Sequence, residues 1–201
     1  MGNLFKCSCL IFLWGGIISC SINSKKNELV DLVKKWENKE IFYPIETAFT
    51  IYGKDTISNY MSLGKEYTIV TYFDSLGCMS CKLQAAKWKD FIYILDSISK
   101  NTVPVNFYVH PKDKDEFCSL LKKEQFDVPI CVDQNDSFQK LNQFPNMIDF
   151  RTFLLDANNK VVAIGNPIHN PKVKELYLKI IQGKESTESE KQLTILFICL
   201  L

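Results

Sequence analysis

Apolar positions between residues 47 and 182 recur with two periods, and each period predicts one type of element. Runs rich in β-branched and aromatic residues predict strands, whereas apolar positions three and four residues apart predict helices. The predicted strands are TAFTIYGKD, which ends in a turn at residues 53–55, and then EYTIVTYFD, VPVNFYVH, VPICVD, RTFLLD and KVVAIGNP. The predicted helices are one from Cys81 to about Ser99, and then KDEFCSLLKKEQF, DSFQKLNQF and NPKVKELYLKIIQG.

The order of these elements predicts an α/β protein. Helices that connect successive strands imply parallel strands, because such connections are too long for a tight hairpin. The last two strands are joined only by a turn at residues 157–160, so they form an antiparallel hairpin at the edge. The sequence therefore predicts a single mixed sheet with parallel and antiparallel strands.

An amphipathic helix is predicted ahead of this region, in the segment ELVDLVKKWENKEI. Its apolar residues share one face, and its charged residues lie opposite. The apolar face comprises Leu29, Val30, Leu32, Val33 and Trp36. We expect this helix to end before Pro44 and to dock on its own domain, although a membrane-surface role is an alternative.

Residues 1–19 have the pattern of a signal peptide. One charge, Lys6, precedes an apolar run from Leu10 to Ile18 that is too short to span a bilayer. The run ends in Ile-Ile-Ser-Cys, which resembles the bacterial lipobox, so Cys20 is predicted to be the lipidated first residue of the mature chain. Two or three acyl chains on one cysteine anchor a protein stably.

Other interpretations of this N-terminus remain open. A plain secretory signal or a buried helix would have a similar apolar run. Myristoylation of Gly2 with palmitoylation of Cys7 and Cys9 is a further alternative, which is weakened because Lys6 stands where that signal prefers Ser or Thr.

A lipid anchor at Cys20 predicts a place in the bacterial cell envelope, extracytoplasmic and either periplasmic or on the surface. Disulfides form and persist in such compartments. The predicted organisation is a signal peptide over 1–19, a lipidated tether and amphipathic helix over 20–46, an α/β domain over 47–183, and a charged linker with a short apolar tail over 184–201. The nine apolar-rich residues from Leu193 to Leu201 are too few for a transmembrane helix.

The charge balance excludes a broad class of partners. The 201 residues include 24 Lys and Arg against 23 Asp and Glu. A near-neutral domain has no extended basic field to hold a nucleic acid. We therefore expect no nucleic-acid partner.

The segment DSLGCMSCKLQ carries the chemistry, because two cysteines flank two residues where a helix begins. Free N–H groups and the helix dipole there favour a thiolate at Cys78, and Lys82 adds a positive charge. An exposed Cys78 could attack a partner's disulfide, after which Cys81 would resolve the mixed disulfide. Met79 and Ser80, between the cysteines, would tune the reduction potential.

Two other interpretations of this pair are weighed against a redox role. A zinc site needs four ligands, but no second C-x-x-C is present, and His110 and His169 lack ligand spacing. Cys118 and Cys131 could complete a four-cysteine site, but each lies in an amphipathic pattern typical of a core. The pair could also be inert, since cysteine often packs as a small apolar residue. No metal or cofactor is expected.

The pattern F-x-x-x-x-C-x-x-C-K after a buried strand, with the late hairpin TFLLD and VVAIG, resembles the thioredoxin-like fold. The extra segment VPICVDQNDSFQKLNQF makes it more similar to membrane-tethered, TlpA-like thiol–disulfide oxidoreductases and to the related peroxiredoxins. The resemblance implies a three-layer fold with helices on both faces of the sheet. It also implies that Cys78 is the nucleophile, that Cys81 resolves, and that protein dithiols or disulfides are the partners.

The sequence departs from that family at three positions. Gly77 precedes the first cysteine where an aromatic residue is usual, and Ser80 stands where proline is usual. A cis-proline is expected near Phe150 or Arg151, but neither is proline. These departures favour one alternative, a redox-inactive thioredoxin-like binding or scaffold lipoprotein.

A peroxiredoxin-like peroxidase is a further alternative. Ser75 lies three residues before Cys78, as a hydroxyl residue does in peroxidase sites, and Arg151 lies near the place of a peroxidase arginine. The proline that precedes the hydroxyl residue in those sites is missing.

Overall fold

The computed structural model describes residues 27–45, 48–55, 65–99 and 103–184. The predicted signal peptide, the lipidation site Cys20 and the apolar tail lie outside these residues. No helix within the described ranges is long and apolar enough to cross a membrane.

Seven strands form one mixed sheet in the order β2-β1-β5-β4-β3-β6-β7. The central strand β3 pairs in parallel with β4 and antiparallel with β6, and β4 pairs in parallel with β5. The predicted mixture of parallel crossovers and a terminal antiparallel hairpin is confirmed. The strands are β1 Phe49–Ile51, β2 Lys54–Asp55, β3 Tyr67–Phe73, β4 Val105–Val109, β5 Ile130–Val132, β6 Thr152–Asp156 and β7 Val161–Ile164.

The turn predicted at residues 53–55 lies earlier than expected. Lys54–Asp55 form strand β2, which pairs with β1, and the chain reverses at Tyr52 and Gly53. Both turn residues have positive φ, 55° and 83°, the conformation that a tight hairpin of this kind requires.

Helices cover both faces of the sheet, as the predicted three-layer fold requires. Residues 27–36 form α1. The others are α2 Met79–Leu83, α3 Ala85–Ile98, α4 Lys114–Lys123, α5 Ser137–Asn142 and α6 Pro171–Ile181, with a 3-10 turn at Ile148–Phe150. Side chains of β3 alternate between the two layers: Ile69 and Phe73 pack with α3, α4 and α6, whereas Val70 and Tyr72 pack with α1 and α5.

The N-terminal helix docks on its own domain, in agreement with the sequence pattern. Trp36 is buried, and its ring lies 5.8 Å from the ring of Phe144 and 4.9 Å from that of Phe153. Leu29, Leu32 and Val33 pack against the same cluster. The burial of this apolar stripe explains why a short helix is stable at this end of the chain.

Candidate redox site

The two cysteines of the C-x-x-C segment lie beyond the carboxyl end of the central strand. Strand β3 ends at Phe73, a loop follows, and Cys78 is the N-cap residue of α2. The Cys78 sulfur accepts a hydrogen bond from the Cys81 N–H at 3.3 Å. Gly77 has φ +73°, a conformation that favours glycine over the aromatic residue common at this place.

Cys78 and Cys81 are joined by a disulfide. Their Cα atoms are 5.3 Å apart, within the usual range for disulfides, and both residues are exposed. Cys118 and Cys131 are free and buried. Burial, followed by the charge of Asp133, raises the pKa of the Cys131 thiol to about 12, so that residue is not a reactive thiolate at neutral pH.

The long helix predicted from Cys81 to Ser99 is interrupted at Gln84, so the prediction of one helix was wrong. Gln84 has φ 42° and ψ 54°, and it ends α2 and begins α3. Its side-chain amide donates a hydrogen bond to the Cys81 carbonyl at 3.1 Å and lies 2.8 Å from His169 Nε2. Cys78 therefore caps, and Cys81 lies within, a separate helix of five residues, and any helix-dipole effect at Cys78 arises from that short helix.

A largely buried charge cluster, consisting of Asp74, Lys82 and Arg151, joins this short helix to the preceding loop and to the start of β6. Asp74 Oδ2 accepts a hydrogen bond from Arg151 Nη1 at 2.5 Å, and Asp74 Oδ1 pairs with the Lys82 ammonium. The three side chains are 17%, 14% and 9% exposed for Asp74, Lys82 and Arg151 respectively. The cluster has a net charge of +1 beside the loop that leads to Cys78.

Burial raises the pKa of the Asp74 carboxyl, but the hydrogen bonds and charges of Arg151 and Lys82 outweigh that effect. The pKa of Asp74 is therefore below its usual value. The carboxylate also accepts a hydrogen bond from the Leu76 N–H at 3.1 Å. Asp74 thus fixes the loop that carries Cys78 to both α2 and the start of β6.

Comparisons with known proteins agree with this architecture. No protein-family model and no curated protein matches the sequence. A thioredoxin-like protein solved in its oxidized form aligns with a TM-score of 0.52 and 13% identity, over 75% of this chain and 99% of that one. The thioredoxin domain of a thiol–disulfide oxidoreductase from Bacteroides vulgatus aligns with a TM-score of 0.50 and 10% identity, over 70% and 97%.

A third solved structure, described as the thiol:disulfide interchange protein DsbE of Chlorobium tepidum, aligns with a TM-score of 0.53 and 12% identity, over 73% of this chain and 98% of that one. The chain has a thioredoxin-like fold. At these identities the likeness concerns the fold, so the chemistry of this chain has to be argued from its own residues.

Within this thioredoxin-like fold, Arg151 occupies the place where the sequence comparison expected a cis-proline. No peptide bond among the described residues is cis. Arg151 instead holds the preceding loop, since its Nε donates to the Pro145 carbonyl at 2.6 Å and its Nη2 to the Asn146 carbonyl at 2.9 Å. These bonds and the pair with Asp74 hold the guanidinium in the protein interior.

A second polar group beside α2 involves His169, which the sequence analysis considered only as a zinc ligand without the required spacing. His169 Nδ1 lies 2.6 Å from Asp149 Oδ1, and the hydrogen bond from His169, against a smaller effect of burial, lowers the pKa of Asp149. The opposite ring nitrogen contacts Gln84. The histidine thus joins the 3-10 turn before β6 to the break between α2 and α3, and it lies in no metal site. Within the described ranges, no group of three or more His, Cys, Asp or Glu could hold a metal ion.

Proposed function

We propose that this protein is a thiol–disulfide oxidoreductase in which Cys78 is the nucleophile and Cys81 the resolving cysteine. The observation that carries the proposal is the exposed Cys78–Cys81 disulfide at the start of α2. Cys118 and Cys131 are buried, so among the cysteines that the structure describes only Cys78 and Cys81 are accessible to a partner's sulfur. The partners would be protein dithiols or disulfides.

The local structure favours the thiolate that this chemistry needs. In the reduced protein, the Cys81 N–H that donates to the Cys78 sulfur would stabilise negative charge there. The net positive charge of Asp74, Lys82 and Arg151 would act in the same direction. Cys78 would attack a partner's disulfide, and Cys81 would then attack Cys78 and release the reduced partner, with two electrons passing to it. No cofactor is needed, because the cysteine pair itself carries the electrons.

The reduction potential of the pair tests this function. We expect one two-electron transition confined to Cys78 and Cys81, at a value between about −120 and −300 mV, where catalytic couples lie. The purified protein would be equilibrated in graded thiol/disulfide buffers, and alkylated cysteines would be counted by mass. A pair that never forms a disulfide, or never releases it, would contradict the proposal and favour a redox-inactive binding protein.

We also propose that the domain is tethered to a bacterial membrane from the extracytoplasmic side through lipid on Cys20. The support is the Ile-Ile-Ser-Cys sequence after the apolar run of residues 10–18. A tether would leave the domain free to meet partner proteins in a compartment where disulfides persist.

Replacing Cys20 with Ala is expected to abolish lipid attachment and to release the domain from the membrane fraction. Incorporation of a labelled fatty acid and fractionation of the cells would measure both effects. Gly2→Ala serves as the control, because the alternative N-terminal acylation begins with myristoylation of that residue. Loss of label in the Gly2 variant but not in the Cys20 variant would overturn the Cys20 assignment.

A further inference from the structure

A cavity of about 440 Å³ opens beside the nucleophilic end of the disulfide. Its walls come from the loop and first turn around Cys78, the turn after β4, and the first turns of α4. The lining includes Cys78 but not Cys81. A ligand in this cavity would therefore contact Cys78. The volume of the cavity is in the range of small-molecule sites.

The cavity combines apolar walls with charges of both signs. Met79, Phe117 and Leu120 contribute apolar side chains to the lining, and two exposed residues of the lining, Lys112 and Glu116, carry opposite charges. Neither charged group forms a hydrogen bond or ion pair with another described side chain. The neighbouring Asp113 carboxylate is already engaged, since it accepts the Glu116 N–H at 2.8 Å as the cap of α4.

We propose that this cavity binds small disulfides of the cystine type, in which each sulfur is carried by a group with one carboxylate and one ammonium. Lys112 would pair with the carboxylate and Glu116 with the ammonium, while the carbon chain and sulfur would lie along the apolar walls. A cysteine inside a protein chain has neither charge, because both groups are consumed in peptide bonds. The arrangement thus favours the disulfide of a free amino acid over a peptide segment.

This inference rests on the proposed function and gives the reaction a defined course. The Cys78 thiolate attacks one ligand sulfur, the ligand S–S bond breaks, and one half leaves as a thiolate that takes a proton from water. The other half stays in the cavity as a mixed disulfide with Cys78. The Cys81 thiolate then attacks Cys78 and releases the second half, so the pair loses two electrons and the ligand gains two. A partner protein's dithiol would reduce the pair again.

The rate of mixed-disulfide formation in the Cys81→Ser protein tests the cavity. Four disulfides would be compared at low salt by mass spectrometry: cystine, cystamine with ammonium groups only, 3,3′-dithiodipropionate with carboxylates only, and the neutral bis(2-hydroxyethyl) disulfide. Exposed ion pairs are worth a fraction of 1 kcal/mol, so we expect losses of about two- to fivefold for each pair removed. Lys112→Met should slow cystine and the dicarboxylate, and Glu116→Gln should slow cystine and cystamine.

Two charged residues in the first turn of α4 provide matched controls. Lys114→Met and Asp115→Asn change the net charge equally but lie outside the cavity lining, so they should leave all four rates within the error of the unmodified rate. If the control variants change the reaction rates as much as the cavity variants do, the cause is the general electrostatic field of the protein, and the inference is overturned. If Cys78 reacts at the same rate with the neutral disulfide and with the three charged ones, the proposed cavity site is overturned but the proposed function is not. A Cys78 that reacts with no disulfide faster than the unfolded chain would overturn the function itself.

Discussion

Replacing Cys78 with Ser is expected to abolish the turnover of disulfide substrates, whereas replacing Cys81 with Ser is expected to trap partner proteins as mixed disulfides. The difference arises because a hydroxyl at position 78 cannot attack a disulfide at neutral pH. A lone thiol at position 78 can attack but has no neighbour to release the partner. Turnover of a protein disulfide would be followed with an excess of reductant. Trapped species would be separated without reducing agent and identified by mass.

The control for this experiment is Cys118→Ala. Cys118 is a free, buried thiol on α4, so its loss should leave turnover close to that of the unmodified protein. Turnover that survives in both serine variants would contradict the roles assigned to the pair. The exposed face around Cys78 would then be studied as a binding surface of a redox-inactive protein.

Replacing Asp74 with Asn is expected to lower the free energy of unfolding at pH 7 by about 3 kcal/mol, because it leaves two buried cations without their counter-ion. Arg151 and Lys82, which is itself a residue of α2, would remain without the carboxylate that both now contact. The value is at the lower end for buried pairs, since each member keeps some exposure. Chemical denaturation measures the effect, and Asp90→Asn on the exposed face of α3 is the matched control, expected to change stability by less than about 0.5 kcal/mol.

The pH dependence of the difference in unfolding free energy between the unmodified protein and the Asp74→Asn variant tests whether a charge interaction causes it. The pKa of Asp74 is lower in the folded protein than in the unfolded chain, where it is about 3.9. The contribution of the Asp74 carboxylate to the free energy of unfolding is therefore complete above its pKa in the unfolded chain. It disappears as the pH falls through its pKa in the folded protein. The gap between the unmodified protein and the Asp74 variant should narrow below about pH 4. A gap that stays constant down to the acid limit, or additive effects of Asp74→Asn and Arg151→Gln, would exclude a charge interaction.

The charge cluster also shows where prediction from the sequence stopped. Asp74 follows a buried strand and Arg151 precedes another, and nothing in either local pattern connects residues 77 positions apart. They meet because β3 and β6 are antiparallel, with Thr71 opposite Thr152, so the end of one strand adjoins the start of the other. A charged residue directly at the end of a buried strand indicated that a partner was needed. Which residue that partner is depended on the register between β3 and β6.

The break at Gln84 illustrates the opposite case, in which local propensity was misleading. Glutamine is a good helix former, and the residues on either side continue an apolar helical stripe, so an uninterrupted helix was the reasonable prediction. The structure instead places Gln84 in the left-handed region, where its amide contacts His169, 85 positions away, and the Cys81 carbonyl. A tertiary contact overrides an intrinsic preference that is worth less than about 1 kcal/mol.

Apart from the break at Gln84, the helices and strands of this protein and the place of its reactive pair follow from local patterns in the amino-acid sequence. The alternation of apolar residues defined the strands and helices, and the spacing of Cys78 and Cys81 allowed their sulfurs to meet. The tertiary structure alone decided the surroundings of that pair: the buried cations fixed by Asp74, the separate short helix, and the cavity that includes Cys78 but not Cys81. Periodicity and turn chemistry act over a few neighbouring residues. The surroundings of the cysteine pair, in contrast, are built from segments far apart in the sequence that become neighbours only when the sheet forms.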